Sequence, residues 1–215
     1  MVFQRKRFTR RPVTRRPARR RRFKRRVPRR YPGKIYYFKR SVELPVFPMQ
    51  PTSNPNFFAY SFKLDDVPGV TEFTSLFDQF CLTGVSFKII PAYNISFISG
   101  TSVSSPQGEV YTVIDYTDSY VPTSLDDLAQ SQTLKRGSSL RINKRYFRPR
   151  ILIPLSATTG GTMVGPRSMW LTTGPSSDEK HYGIKGAVTF ADPALVPNCK
   201  FRISCTYYLK FKQVT

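Results

Sequence analysis

An all-β domain, built as a two-sheet sandwich or jelly roll and preceded by a basic N-terminal arm, is what the sequence predicts. Three observations predict it. Apolar residues recur at every second position over several stretches, helical periodicity is confined to two short segments, and positive charge is crowded into the first 40 of 215 residues. Those 40 residues hold 15 Arg and 4 Lys with no acid before Glu43, a charge of +19. The other 175 carry 16 basic and 13 acidic side chains, or +3, which completes the formal net charge of +22. Residues 1–40 and 41–215 are therefore expected to behave as two different materials.

In the arm, Pro12, Pro17, Pro28 and Pro32 punctuate runs of arginine. Mutual repulsion and few apolar side chains leave nothing to offset the entropy of ordering, so disorder in the free chain is expected. A polyanionic partner follows from the charge. The candidate nucleic-acid contacts are Arg5, Lys6, Arg7, Arg10, Arg11, Arg15, Arg16, Arg19, Arg20, Arg21, Arg22, Lys24, Arg25, Arg26, Arg29 and Arg30. The planar guanidinium forks onto phosphate oxygens and stacks on bases, which suits single strands, and Phe3, Phe8, Phe23 and Tyr31 add stacking surface between the cations. About ten phosphate contacts, at a slope of about −0.7 each, would lose roughly 10⁴-fold in affinity between 50 and 200 mM salt. Arg19, Arg20, Arg21, Arg22, Lys24, Arg25 and Arg26 also match the composition of a nuclear import signal, making import receptors expected partners.

After the arm the pattern turns to period 2. An apolar and β-branched run near 35–47 predicts a first strand, and Phe58, Tyr60, Phe62 and Leu64 alternate as a second. Phe73, Leu76, Phe77 and Phe80 then sit at helical spacing behind a candidate Thr71 cap. Val85, Phe87 and Ile89 resume the alternation, followed by a run near 109–116. Ser124–Gln130 predicts one short helical turn, with Asp127 at the capping-box spacing from Ser124. Further runs lie near 139–153 and 168–173, then Tyr182, Ile184, Val188 and Phe190. The clearest strand is the last, where Phe201, Ile203, Cys205, Tyr207, Leu209 and Phe211 alternate with Arg202, Ser204, Thr206, Tyr208, Lys210 and Lys212. About eight strands with connections longer than hairpin turns favour a sandwich or jelly roll over a meander. Loops near 46–56, 99–108, 117–123, 154–167 and 174–180 are rich in Pro, Ser, Thr and Gly and poor in charge, and are expected to bury themselves against neighbouring copies.

Little in the chain points to catalysis, and no cofactor is expected. His181 is the single histidine, so a His-based relay or metal site lacks partners, and a surface or interface role is expected for it. Cys81, Cys199 and Cys205 form an odd set without C-x-x-C spacing, expected as reduced, buried small hydrophobes. Asp115 with Asp118, and Asp126 with Asp127, lack the ligand count of a calcium loop and fit turn and helix-start roles. The glycines Gly160, Gly161 and Gly165 are followed by no Gly-Lys-Ser/Thr, and Asn94-Ile95-Ser96 is a sequon without a signal peptide. No apolar run reaches the ~20 residues that cross a bilayer, so membrane insertion is not expected. A second basic group, Arg141, Lys144, Arg145, Arg148 and Arg150, with Arg40 at the end of the arm, either lines an interior nucleic-acid-facing surface or pairs with acidic loops across an interface.

The arm from Arg5 to Arg40 running into a first strand at Tyr31–Phe47 resembles the capsid proteins of the circovirus and cyclovirus group. So do Val113-Ile114-Asp115-Tyr116, the Thr123–Leu128 turn, Lys144-Arg145-Tyr146-Phe147-Arg148-Pro149 and Tyr207-Tyr208-Leu209-Lys210-Phe211. The resemblance spans the chain through short motifs. It implies an eight-stranded jelly roll whose copies, about 60 in the smallest icosahedral shell, enclose circular single-stranded DNA. It also implies the arm on the interior face, residence in the virion and in the host nucleus during assembly, and surface loops that meet a host attachment factor. Rival classes are a basic ribosomal or chromatin-associated protein with a β domain, which would act as a single subunit, and a nucleic-acid enzyme.

Overall fold

The computed structural model describes residues 34–47, 54–92, 107–155, 161–191 and 199–214. Eleven strands and two helices are assigned there. They run β1 (Tyr36–Phe47), β2 (Asn56–Phe62), α1 (Val70–Leu76), β3 (Phe77–Pro91), β4 (Gly108–Val113), α2 (Leu125–Ala129), β5 (Lys135–Ser138) and β6 (Asn143–Phe147). β7 (Leu152–Pro154), β8 (Thr162–Val164), β9 (Leu171–Thr172), β10 (His181–Phe190) and β11 (Phe201–Val214) complete the chain. One sheet has the order β1-β11-β3-β6, with β9 added beside β3; a second has the order β2-β10-β4-β5; β7 and β8 pair only with each other. Every pairing is antiparallel.

Leaving out β7, β8 and β9, successive strands alternate between the two sheets, with β4 and β5 as the one pair of sequence neighbours that share a sheet. That alternation defines a jelly roll, in which most connections cross from one sheet to the other; residues 114–134 instead join β4 to β5 within one sheet, and the short turn 139–142 crosses from β5 to β6. The alternating residues of β11 turn Phe201, Ile203, Cys205, Tyr207, Leu209 and Phe211 into the core, where all six are buried. Phe58, Phe62 and Ile184 face them from the second sheet, and Phe87 and Val85 extend the same layer. Ring pairs such as Phe62 with Tyr207 at 5.9 Å and Phe73 with Phe211 at 4.9 Å each contribute about 0.5–1.5 kcal/mol beyond burial.

Several sequence expectations change. α1 starts after Gly69, whose φ of 72° suits glycine, and ends at Leu76; Phe77 and Phe80 belong to β3. Phe73, Phe77 and Phe80 satisfy a helical spacing, yet Phe77 and Phe80 gain more by entering a sheet that buries both. α2 carries the expected capping box, with Ser124 Oγ accepting from the Asp127 N–H at 3.1 Å and Asp127 Oδ2 accepting from the Ser124 N–H at 3.2 Å. The run near 139–153 divides into β6 and β7, β8 lies inside the expected 154–167 loop, and β5 has no apolar signal. Residues 36–40, grouped with the arm on composition, pair with Phe211–Tyr207 of β11.

Candidate nucleic-acid interface

With its odd-numbered residues in the core, β11 must present its even-numbered residues on the outside of its sheet, and register carries the pattern sideways. Lys39 of β1, Tyr208 of β11 and Gly84 of β3 form one row; Ser41, Thr206, Ser86 and Tyr146 of β6 form the next; Glu43, Ser204, Lys88 and Lys144 form a third. Arg202 and Lys210 extend these rows along β11 at either end, and Arg148 follows directly after β6. Lys39, Lys88, Lys144, Arg148, Arg202 and Lys210 thus share one face, where Glu43 is the single carboxylate among the described residues of these rows. Lys88 and Lys144 lie directly opposite each other, a like-charge pair that an anion would relieve.

Aromatic rings lie between these cations. Tyr37 is 69% exposed with Lys210 Nζ 5.2 Å from its ring centre. Tyr146 is 55% exposed and meets Tyr208 edge to face at 5.8 Å. Around them opens a depression of about 490 Å³ walled by Tyr37, Lys39, Tyr146, Arg148, Tyr208 and Lys210. Further along, Lys212 Nζ is 4.5 Å from the Trp170 ring centre. Cations beside exposed ring faces are what a phosphate backbone with unstacked bases requires.

The residues singled out from sequence separate. Arg5, Lys6, Arg7, Arg10, Arg11, Arg15, Arg16, Arg19, Arg20, Arg21, Arg22, Lys24, Arg25, Arg26, Arg29 and Arg30 lie outside the described residues, as do Gly160 and Asn94-Ile95-Ser96. Of the second basic group, Lys144 and Arg148 reach the basic face. Arg40 falls on the core side of β1, its guanidinium 5.2 Å from the Phe73 ring centre. Arg145 shares the parity of core residue Phe147 and donates to the Thr133 carbonyl; burial lowers its pKa. Arg150 bridges to Tyr182 and lies 5.0 Å from the Tyr116 ring centre. Arg141 is exposed in the turn between β5 and β6. Arg202 and Lys210 read from sequence as polar positions of one strand, but Lys39 and Lys88 lie on two others, and only register gathers the four on one face.

The remaining candidates are structural. His181 is 4% exposed, which corrects the surface expectation: it opens β10 against Phe80, Nδ1 lies 3.0 Å from the Glu179 carbonyl oxygen, and burial lowers its pKa. Cys81, Cys199 and Cys205 are free and buried, and burial raises their thiols to about 11, 11 and 12. Asp115 and Asp118 hold the Lys185 ammonium at 2.7 and 2.5 Å on the outer side of the second sheet. Burial pushes the Asp115 carboxyl up, and hydrogen bonds from Lys185 and Thr117 outweigh it, leaving the group below the ordinary carboxylate value.

Comparison with known families settles the kinship: residues 4–215 match the circovirus capsid protein model. The chain belongs to the circovirus capsid protein family. The fold of this viral capsid protein agrees with solved capsids. A 60-mer BFDV capsid protein is similar with a TM-score of 0.59 at 20% identity, covering 84% of this chain and 95% of that one. The decameric BFDV capsid protein gives 0.52 at 21%, covering 84% and 100%. The capsid of a nodavirus of the giant freshwater prawn Macrobrachium rosenbergii, in a semi-empty virus-like particle, gives 0.52 at 7%, covering 85% and 94%. At such identities the likeness is one of fold. A search of curated proteins finds no match.

Proposed function

We propose that this capsid protein assembles into a small icosahedral shell of about 60 copies and packages circular single-stranded DNA, with the 1–40 arm and the outer face of the β1-β11-β3-β6 sheet both turned toward the genome. The observation that carries the reading is the basic, tyrosine-studded face of that sheet, whose edge strand β1 directly follows the arm in sequence. Arm and face divide the work. The arm supplies long-range, sequence-indifferent attraction, and 60 arms with the 17 cations that precede β1 give about 1,020 charges for counterion release, matching a genome of kilobase order. The sheet adds stacking surfaces, Tyr37, Tyr146 and Tyr208, held in register by its strands.

Family membership and the 60-mer form of a similar capsid support self-assembly and a structural rather than catalytic role. The arm's Arg19–Arg26 cluster supports import of the newly made protein into the nucleus before assembly, and the virion is its final location. Loops on the shell exterior would meet the host attachment factor. The test is the mass of the species formed by purified full-length protein with circular single-stranded DNA, read by analytical sedimentation and negative-stain microscopy. Uniform closed particles carrying nuclease-protected DNA are expected; a persistent monomer across salt and pH would overturn the proposal.

A further inference from the structure

β4 and β5 form an antiparallel ladder with two contrasting ends. At one end, the chain between β4 and β5 (residues 114–134) carries four aspartates and neither Lys nor Arg, in a protein of net charge +22. This segment folds over a cavity of about 490 Å³ walled by Asp115, Asp118, Asp127, Tyr120, Val121 and Leu128. Lys185 offsets one of these charges. Tyr120, at 82% exposure, and Val121 stand open at the rim. Water-facing apolar groups on an acidic rim describe a surface that awaits a cation with an apolar neighbour.

The other end of the ladder offers that combination. The turn joining β5 to β6 exposes Arg141 and Ile142, the latter at 62%, with exposed Lys144 two residues on. The turn is stiff: Asn143 Nδ2 donates to the Ser138 and Arg141 carbonyls at 2.8 and 2.9 Å, and the Arg141 N–H donates to the Ser138 carbonyl at 3.3 Å. β4 separates the two ends by its six residues, roughly 20 Å of strand. A basic apolar knob and an acidic apolar socket at opposite ends of one ladder cannot meet within a single chain. They can meet between copies.

We infer that the Arg141–Ile142 turn of one copy seats in the Asp115–Asp127 socket of a second copy, a head-to-tail contact that closes into rings. The inference rests on the proposed shell. Charge complementarity sets its register, since like ends repel, and Tyr120, Val121 and Ile142, exposed on the single copy, become its apolar centre. A contact between different patches propagates from copy to copy and closes as a ring when the rotation between copies divides the circle evenly, whereas a contact between identical patches would stop at a pair. Nucleic acid is excluded from the socket by its own carboxylates, so this end and the basic sheet face do not compete for one partner.

Two sets of variants of the full-length protein test the contact. Tyr120→Lys faces Arg141 with a like charge, and Ile142→Asp does the same to the socket; each should reduce the assembled fraction at least tenfold while circular dichroism stays unchanged. The double variant restores an opposite pair, now reversed, and should recover particles. Independently, the Tyr120→Cys/Ile142→Cys double variant should cross-link under mild oxidation into a ladder of multimers, and neither single Cys variant should cross-link. Particles that form without that ladder overturn the contact while leaving the shell reading intact, as would single charge variants that assemble normally. Failure of the wild type to form particles overturns both.

Discussion

Tyr146 lies across the place where Gly84 lacks a side chain: a Cβ built at 84 would stand 2.4 Å from the tyrosine hydroxyl oxygen. The two residues sit on adjacent strands, and the missing methyl lets the ring lie down along the sheet between Lys39 and Arg148. Gly84→Ala should lift the ring, and Tyr146→Ala should remove it. Either variant is expected to weaken binding of short oligo-dT by about 1–3 kcal/mol, measured by fluorescence anisotropy at a salt concentration high enough to quiet the arm. Unchanged affinity in both would remove Tyr146 from the interface.

Neutralising the face should act differently from removing a ring. Lys88→Ala and Lys144→Ala each delete one candidate phosphate contact, so the plot of log affinity against log salt should flatten by about 0.7 per substitution, with little dependence on base composition. Because the two lysines oppose each other directly, either change is also expected to raise thermal stability slightly in the absence of DNA.

Lys185 is 8% exposed and held between two carboxylates. Lys185→Met leaves Asp115 and Asp118 facing each other without a cation and should cost about 3 kcal/mol or more in urea unfolding. Adding Asp115→Asn and Asp118→Asn should recover most of it. The Asp115 carboxyl lies below its ordinary value when folded. Its contribution is therefore fully present above the usual carboxylate range near 3.8 and fades as pH falls through the lower, folded value.

His181 has the opposite chemistry. Its folded pKa is depressed by burial below 6.5, so as pH drops from about 6.5 the unfolded chain takes up a proton that the folded one refuses, and stability declines. The urea midpoint should fall between pH 7.5 and 5.5, and His181→Asn should flatten that dependence. A midpoint equally pH-sensitive in the variant would assign the effect elsewhere.

The arm boundary can be cut in two places. Removing residues 1–33 should remove most of the salt dependence of DNA binding, leaving the shallower slope of the sheet face, and leave the β signal by circular dichroism intact. Removing 1–40 also strips Phe38 from its T-shaped contacts with Phe73 at 5.0 Å and Phe211 at 5.6 Å, along with five ladder positions. That longer deletion should lower stability by a further ~2–4 kcal/mol.

Composition drew the arm boundary at 40 because Lys39 and Arg40 look like arm residues, whereas the strand is specified by Tyr36, Phe38 and Val42, which pack on the core. The strands legible from sequence are those with one wet face, β11 above all. β5 reads as nothing, since Lys135–Ser138 has no apolar residue and is held at the sheet edge by pairing with β4 alone. At the candidate interface, Lys210 and Arg202 were visible as the polar side of β11. That Lys39, Lys88 and Lys144 join them depends on register between strands up to 165 positions apart, as in the Ser41–Thr206 hydroxyl contact at 3.1 Å, and no local pattern encodes that.

β11 lies between β1 and β3, so the sheet that begins with the first strand acquires its middle only from the last. On the ribosome, β1 and β3 emerge long before their shared partner and must wait as unpaired edges until the closing segment clears the exit tunnel. Any contact that needs the finished β1-β11-β3-β6 sheet must therefore wait until β11 has been made.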